Sequence, residues 1–176
     1  PSAGFTASRS KQEDRKIRLG VIGCGGRGTY DTGNCLKAAP NVELVAMGDL
    51  FEGYLEESYS NLKKEHGDKV NVPNNRKFAG FDAYKGVLES NADLVLLTST
   101  PHFRPKHLEA AVDAGKHVFM EKPVAVDPVG IRSVIASSEK AEQKGLTIVG
   151  GTQTRRDPIV QKAREQIHNG AIGDMV

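Results

Sequence analysis

The sequence predicts an α/β domain with a doubly wound sheet, in which parallel strands carry helices on both faces. Short apolar runs alternate along the chain with segments that repeat apolar residues at helical spacing. Each run is nearly continuous in apolar residues, which is typical of strands buried on both faces of a parallel sheet. The alternation of strand and helix favours a parallel sheet built by crossover connections. The expected strands are 17–23, 42–49, 76–80, 92–100, 116–122 and 146–151, of which 76–80 is the weakest.

Helix signals lie between these runs. Asp127-Pro128 and Asp157-Pro158 each place a capping carboxylate before a proline at the first helical position. A short helix is expected over 82–90, whereas the Gly, Pro and Asn content of 66–75 indicates a loop. Apolar residues recur at helical spacing at Phe51, Leu55, Tyr59 and Leu62, at Leu108, Ala111 and Val112, at Ile131, Val134 and Ile135, and at Val160, Ala163 and Ile167.

The composition is that of an ordinary globular domain. The 176 residues are 38% hydrophobic and 26% charged, and the formal net charge is +2. The 24 Lys and Arg residues are scattered along the chain, so we expect neither nucleic acid nor an anionic membrane as a partner. We also find no apolar stretch of membrane-spanning length in the sequence.

The cysteines and histidines predict neither a disulfide nor a metal site. Cys24 and Cys35 are separated by about the length of a helix, which at about 1.5 Å per residue exceeds bridging distance. Both are therefore expected to be reduced. The histidines lie apart from one another and from the cysteines, without the spacing of a metal-binding cluster.

The first fifteen residues are small, polar and charged, without a helical or strand period. We expect residues 1–15 to form a mobile arm and residues 16–176 to form the domain. No complete signal peptide is visible, although the arm could be what remains after one was removed. The location of the protein therefore stays open. The cytoplasm is the default prediction, and export is the alternative.

A glycine cluster follows the first predicted strand and precedes a predicted helix. Gly23, Gly25 and Gly28 match the pattern G-x-G-x-x-G of dinucleotide-binding Rossmann folds. In such a motif the first glycine makes the tight turn, the second lets a pyrophosphate approach the backbone, and the third lets the helix close on the strand. Gly26 would relax the turn further, and Arg27 could donate to the phosphates or a ribose. The expected strand order is 3-2-1-4-5-6.

Asp49 ends the second predicted strand, 21 residues after Gly28. An acid at this position accepts hydrogen bonds from the adenosine ribose, which supports the dinucleotide prediction. Alternatively, Asp49 caps the helix that begins near Phe51. Its carboxylate would repel a 2′-phosphate, and residues 50–62 contain no Lys or Arg to neutralise one, so NAD is favoured over NADP. Arg27 is the only nearby candidate for that neutralisation.

Two further segments resemble the Gfo/Idh/MocA oxidoreductases, the family of glucose–fructose oxidoreductase and inositol dehydrogenase. They are "TSTPHFRPKHLEAAVDAGKHVFMEKPVA" (98–125), with its Glu-Lys-Pro element, and "VGGTQTRRDP" (149–158). The resemblance extends over 16–176 and implies NAD(P)-dependent oxidation or reduction of a sugar, cyclitol or related polyol. It also implies a second, substrate-binding domain and a homo-oligomer at full length. The final "GAIGDMV" looks like the entry to that domain, so the fragment alone is expected to be inactive.

The resemblance assigns roles to the end of the fifth predicted strand. Lys122 matches the family lysine that faces the nicotinamide and the substrate hydroxyl. It would orient that oxygen, stabilise alkoxide charge, or relay a proton, and it is the candidate catalytic residue. Alternatively, Lys122 is a surface lysine at a strand end. Glu121 would bind the nicotinamide ribose, or alternatively only pair with Lys122.

The exit of the fourth predicted strand contributes further cofactor-binding candidates. Ser99, Thr100 and Pro101 are expected to line the cofactor. His107 matches the family position, but it also lies at the start of a helix and could be a packing or capping residue. The cofactor and packing roles of His107 both remain open at this point.

The segment after the sixth predicted strand contributes Gln153 and Arg155. Both could reach the nicotinamide end of the cofactor or the substrate, and Gln153 is the stronger cofactor-binding candidate. Arg155 and Arg156 could equally be salt-bridged surface residues.

Three functions fit this pattern. The first is an NAD-dependent oxidoreductase, of which this chain is the cofactor domain. The second is an NAD-dependent enzyme that cleaves glycosides through transient oxidation, and the third is a non-catalytic dinucleotide-binding module. Lys122 argues against the third, since a pure binding module has no use for a lysine at the hydride-transfer edge.

Overall fold

The computed structural model describes residues 15–152, 154–155 and 157–174, and within them six strands form one parallel sheet. The strand order is β3-β2-β1-β4-β5-β6, which confirms the predicted doubly wound topology. The short strand β3 lies at one edge of the sheet, as expected for the weakest apolar run. The strands are β1 Ile17–Ile22, β2 Val42–Asp49, β3 Lys77–Ala79, β4 Leu94–Leu97, β5 His117–Glu121 and β6 Ile148–Gly151.

The helices alternate with the strands. Two short 3-10 turns are Gly67–Lys69, within the segment 66–75 that the sequence predicted as a loop, and Asn74–Arg76, which extends one residue beyond that segment. The α-helices are α1 Gly26–Ala38, α2 Glu52–His66, α3 Ala83–Glu89, α4 Arg104–Asp113, α5 Pro128–Gln143 and α6 Pro158–His168. In the described part of the chain, none of them is long and apolar enough to cross a membrane.

Apolar side chains cover both faces of the sheet. One cluster packs Leu36 of α1 and Leu55 of α2 against strand residues that include Leu19. The other packs residues of α3, α4 and α5, among them Val87 and Leu108, against the opposite face. The nearly continuous apolar strands are therefore buried on both sides, as their sequence pattern predicts.

The fourth strand is shorter than the predicted run 92–100. The ladder covers Leu94–Leu97, because the main-chain N–H groups of Thr98 and Ser99 both converge on the carbonyl oxygen of Ile22. The chain therefore turns away from the sheet at Thr98. This early turn brings the polar residues that follow β4 close to the end of β1.

The two predicted aspartate caps are confirmed. The Asp127 carboxylate accepts the main-chain N–H of Gly130 at 2.6 Å at the start of α5, and Asp157 accepts that of Ile159 at 2.8 Å at the start of α6. The apolar pattern of α6 forms a helix as predicted, but none of its described residues is buried. Ile159 is 79% exposed.

Arg15 is the first residue that the structure describes. Residues 1–14 of the expected arm lie outside the described residues. Arg15 already contacts the domain, since its guanidinium lies 3.3 Å from Asp93 and its carbonyl accepts a bond from Asn41. Asp93 also forms a bidentate ion pair with Arg18 on β1. This ion pair connects the amino ends of β1 and β4.

Candidate cofactor and substrate site

The glycine cluster forms the turn between β1 and α1. Gly23 has φ +101°, a conformation that favours glycine, and a Cβ atom there would collide with the main chain of Ser99. A Cβ on Gly28 would collide with the carbonyl oxygen of Gly23, so the helix closes tightly on the strand. A Cβ on Gly25 or Gly26 would instead point into open space. The turn therefore leaves free the space from which a ligand could reach the backbone.

The Asp49 carboxylate joins the end of β2 to this turn. One oxygen accepts the main-chain N–H of Cys24 at 2.6 Å, and the other accepts that of Phe51 at 2.9 Å. Helix α2 has Phe51 as its N-cap residue and begins at Glu52, so Asp49 lies two residues before the cap. Each carboxylate oxygen can accept a further hydrogen bond, because a carboxylate has about four acceptor positions.

A cavity of about 230 Å³ opens beside this carboxylate, and we call it the switch-point cavity. It lies at the carboxyl ends of β1, β2 and β4, where the strand order reverses and ligands of such sheets bind. The predicted site residues that line it are Gly23, Gly25, Asp49, Ser99, Thr100 and His107. Aromatic side chains, which the sequence analysis missed, complete its wall: Phe51, Tyr54, Phe81, Tyr84 and Phe103.

Three of these aromatic residues are largely exposed, among them Tyr54 at 52%. Phe51 is 58% exposed and Phe81 is 73% exposed. Exposed aromatic rings in a concave wall are typical of surfaces that bind flat apolar groups. The sequence signal was available, because Phe51 comes shortly after β2 and Phe81 shortly after β3, at the same edge of the sheet.

His107 is buried in the wall of the switch-point cavity. Its Nδ1 atom lies 3.1 Å from the Ser99 hydroxyl, and its ring stacks on Tyr84 at 4.6 Å and on Phe103 at 5.9 Å. Burial, with the nearby Lys106 and Arg104, lowers the pKa of His107 to about 4. The imidazole is therefore neutral near pH 7, and it packs in the wall while it orients the Ser99 hydroxyl.

Lys122 directly follows β5, and its side chain is exposed at the carboxyl edge of the sheet. The Lys122–Pro123 peptide bond is cis. Glu121 is buried, and its carboxylate accepts the main-chain N–H of Lys122 at 3.1 Å. The contact of Glu121 with Lys122 is thus made through the main chain, and binding of the nicotinamide ribose by Glu121 stays a prediction.

Arg104 is a buried residue of this region that the sequence analysis missed. Its guanidinium donates to the carbonyl oxygen of Ser99 at 2.6 Å and to that of Pro123. Arg104 therefore connects the turn after β4 to the turn after β5 through these two hydrogen bonds. No periodic signal marks it, because both partners are main-chain carbonyl groups, which have no sequence signature.

Two other predicted site residues lie near the glycine turn and in the turn that follows β4. Arg27 projects from the first turn of α1, is about half exposed, and lies 3.5 Å from the carboxylate of Asp31. Pro101 follows the strand exit in a turn before α4. Gln153 lies outside the described residues.

A second cavity, of about 450 Å³, lies beyond the ends of β5 and β6, and we call it the edge cavity. Because these strands are parallel neighbours, the edge cavity and the switch-point cavity open at the same edge of the sheet. The described residues that line it are Lys122, Thr152, Thr154, Arg155, Val160, Gln161 and Arg164.

Several inositol dehydrogenases are similar to this chain. It is 30% identical over 157 residues to myo-inositol 2-dehydrogenase of Thermotoga maritima and 26% identical over 160 residues to scyllo-inositol 2-dehydrogenase (NAD(+)) of Bacillus subtilis. These matches cover 89% and 91% of this chain, respectively. The chain spans 42% of the length of each of these two relatives.

Solved structures share the fold. Scyllo-inositol dehydrogenase from Lactobacillus casei, with bound NAD(H) and scyllo-inositol, superposes with a TM-score of 0.71 at 26% identity. The match covers 91% of this chain and 43% of that one. A 3-ketoreductase from Actinomadura kijaniata in complex with NADP superposes with a TM-score of 0.70 at 22% identity, over 91% of this chain and 46% of that one.

The family assignment rests on a match that covers most of the sheet. Residues 17–149 match the model of the oxidoreductase family with an NAD-binding Rossmann fold, which begins at β1 and ends within β6. Of the two segments that suggested the resemblance, 98–125 with its Glu-Lys-Pro element lies within this range, and 149–158 begins at its last residue. The chain therefore belongs to the Gfo/Idh/MocA oxidoreductase family, whose Rossmann domain binds a nicotinamide dinucleotide.

Proposed function

We propose that this chain is the cofactor domain of an oxidoreductase that transfers a hydride between NAD and a sugar, cyclitol or related polyol. The proposal rests on the arrangement of the residues that follow the carboxyl ends of the strands. The glycine turn and Asp49 face the switch-point cavity, while Lys122 follows β5 on the other side of the strand-order reversal. The inositol dehydrogenases that the chain resembles support the substrate class.

The shape of the turn fits a dinucleotide. The space in front of Gly25 is open, and the amides at the start of α1 would receive the pyrophosphate with the positive end of the helix dipole. The Asp49 oxygens would accept hydrogen bonds from the ribose hydroxyl groups, and the exposed rings of Phe51 and Phe81 would contact the adenine. Ser99 and Thr100 would line the cofactor from the exit of β4.

The preferred cofactor is NAD. Asp49 holds a negative charge where a 2′-phosphate would lie, and residues 50–62 contain no cation. Arg27 is engaged with Asp31, which leaves it poorly placed to neutralise that phosphate. A carboxylate beside a phosphate is unfavourable, because like charges repel at close range.

Lys122 is the proposed catalytic residue. NAD supplies the hydride acceptor, and the Lys122 ammonium would donate a hydrogen bond to the substrate oxygen at the reacting carbon. This contact orients the oxygen and stabilises negative charge that develops on it. The buried carboxylate of Glu121 holds the main chain of Lys122, and Arg104 holds the turn around Pro123. Both therefore position the lysine.

The rest of the active site is proposed to come from a second domain. The chain spans 42% of its inositol dehydrogenase relatives, which leaves more than half of their length for other contacts. The proposed substrate-binding residues would reach the edge of the sheet near Lys122 from that domain.

The function is tested with the full-length protein and NAD against a panel of hexoses, inositols and glycosides. Net formation of NADH, followed by its absorbance, is expected with at least one member. Release of a sugar from a glycoside without net NADH would favour the glycoside-cleaving function instead. NAD binding with neither product would favour a non-catalytic binding module.

A further inference from the structure

Three cationic side chains line the edge cavity. Lys122 comes from the end of β5, Arg155 from the segment after β6, and Arg164 from α6. None of the described lining residues is acidic. Across residues 15–152, 154–155 and 157–174, these three cations also make no ion pair. The cavity therefore gathers positive charge that the described part of the chain does not neutralise.

Of the nearest acids along the chain, Glu165 follows Arg164 on α6 but does not line the cavity, and the other two are already engaged. The Asp157 carboxylate accepts the main-chain N–H groups of Ile159 and Val160, and so caps α6. Glu121 is buried and accepts the main-chain N–H of Lys122. Asp157 and Glu121 thus each have a structural role that they would lose by turning toward the cavity.

The lining also offers mainly hydrogen-bond donors. Ammonium and guanidinium groups only donate, whereas a neutral polyol both donates and accepts through every hydroxyl. The Gln161 amide donates to the carbonyl oxygen of Arg155, and this bond holds the two cavity residues together. A wall rich in charged donors matches a ligand group with several acceptor oxygens and a negative charge.

We infer that the substrate carries an anionic group, a carboxylate or a phosphate, which Arg155 and Arg164 bind in the edge cavity. This inference rests on the proposed function, since it names the substrate class of that site. Lys122 borders the same cavity, so a bound anion lies close to the group that acts on the reacting oxygen. The substrate class is then an acidic or phosphorylated polyol.

The experiment uses the full-length protein loaded with NAD, so that the phosphate site at the glycine turn is filled. Calorimetry follows the titration of inorganic phosphate and, separately, of acetate, which distinguishes the two kinds of anion. We expect saturable binding of at least one of them, and at least tenfold weaker binding in Arg164→Gln. Lys162→Gln is the matched control, because Lys162 is an exposed cation of α6 that does not line the cavity.

The same proteins are then compared for NADH formation with glucose, glucuronate and glucose 6-phosphate, and with inositol and an inositol phosphate. The inference is supported if Arg164→Gln raises the KM of an anionic member and Lys162→Gln does not. It is overturned if neither anion binds, or if Arg164→Gln binds the anion as tightly as wild type does. It is also overturned if the neutral compounds give a higher kcat/KM than the anionic ones. NADH formation from a neutral polyol would still support the proposed function, whereas failure to load NAD would overturn that function itself.

Discussion

The Asp49 carboxylate lies 2.6 Å from the main-chain nitrogen of Cys24, and this bond ties the end of β2 to the glycine turn. The second carboxylate oxygen holds the main chain of Phe51 at the start of α2. One side chain thus fixes the two segments that border the proposed adenosine site. Its fixed charge is the basis of the proposed preference for NAD.

Asp49→Asn is expected to weaken NAD binding about tenfold, because hydrogen bonds to a charged acceptor are lost. NADP binding is expected to change less or to improve, since the repulsion of the 2′-phosphate is removed. Calorimetry with both dinucleotides measures the two affinities. Asp68→Asn, an exposed carboxylate away from the cavity, serves as the control. A wild-type protein that prefers NADP would refute the role of Asp49.

Gly28→Ala is expected to destabilise the fold by about 3 kcal/mol or more, because the added methyl group would collide with the carbonyl oxygen of Gly23. Gly26→Ala, in the same turn, is expected to leave stability unchanged or raise it by up to about 1 kcal/mol. Urea denaturation of both variants measures the difference. Equal stability of the two variants would show that the helix does not need its close approach to β1.

Lys122→Ala in the full-length enzyme is expected to slow hydride transfer about 100-fold or more, the scale of a lost electrostatic or acid–base group. The affinity for NAD is expected to change little, because the glycine turn and Asp49 are intact. Single-turnover kinetics and an NAD titration separate these effects. If the variant loses NAD binding but keeps its turnover at saturating cofactor, Lys122 has a structural role and no catalytic one.

The lowered pKa of His107 predicts that the stability of the fold depends on pH. Its pKa is about 4 in the fold against 6.5 for an unperturbed histidine, so between these values the unfolded chain binds more protons than the folded one. Stability is therefore lost as the pH falls from about 6.5 through 4, by up to about 3 kcal/mol. Urea denaturation at several pH values should show this loss in wild type and a smaller one in His107→Gln. Parallel curves for the two proteins would contradict the shift.

The fold and part of the site were predictable because their signals are local. Gly23 and Gly28 follow an apolar run at fixed spacing, and the geometry of the turn then admits little besides glycine at either position. Asp49 ends the next run, and the parallel order of β1 and β2 brings it to the glycine turn. Each inference needed only the spacing of residues and the direction of neighbouring strands.

The rest of the site depends on contacts between segments that are distant in sequence. The stack of His107 on Tyr84 joins α4 to α3, and the bonds of Arg104 join two turns through carbonyl groups that have no sequence signature. The cations of the edge cavity come from three elements, so no local motif announces their proximity. Tertiary packing determines these positions.

The central claim is that a dinucleotide binds at the glycine turn, and an NAD titration of wild type and Gly25→Val tests it most directly. Gly25 has φ −65° and ψ −172°, which valine also adopts, and its Cβ would point into open space. The variant should therefore fold with an unchanged unfolding midpoint, while its side chain occupies the space of the pyrophosphate. We predict saturable NAD binding to wild type and at least 100-fold weaker binding to Gly25→Val. Equal NAD affinity in the two proteins would contradict a cofactor site at this turn.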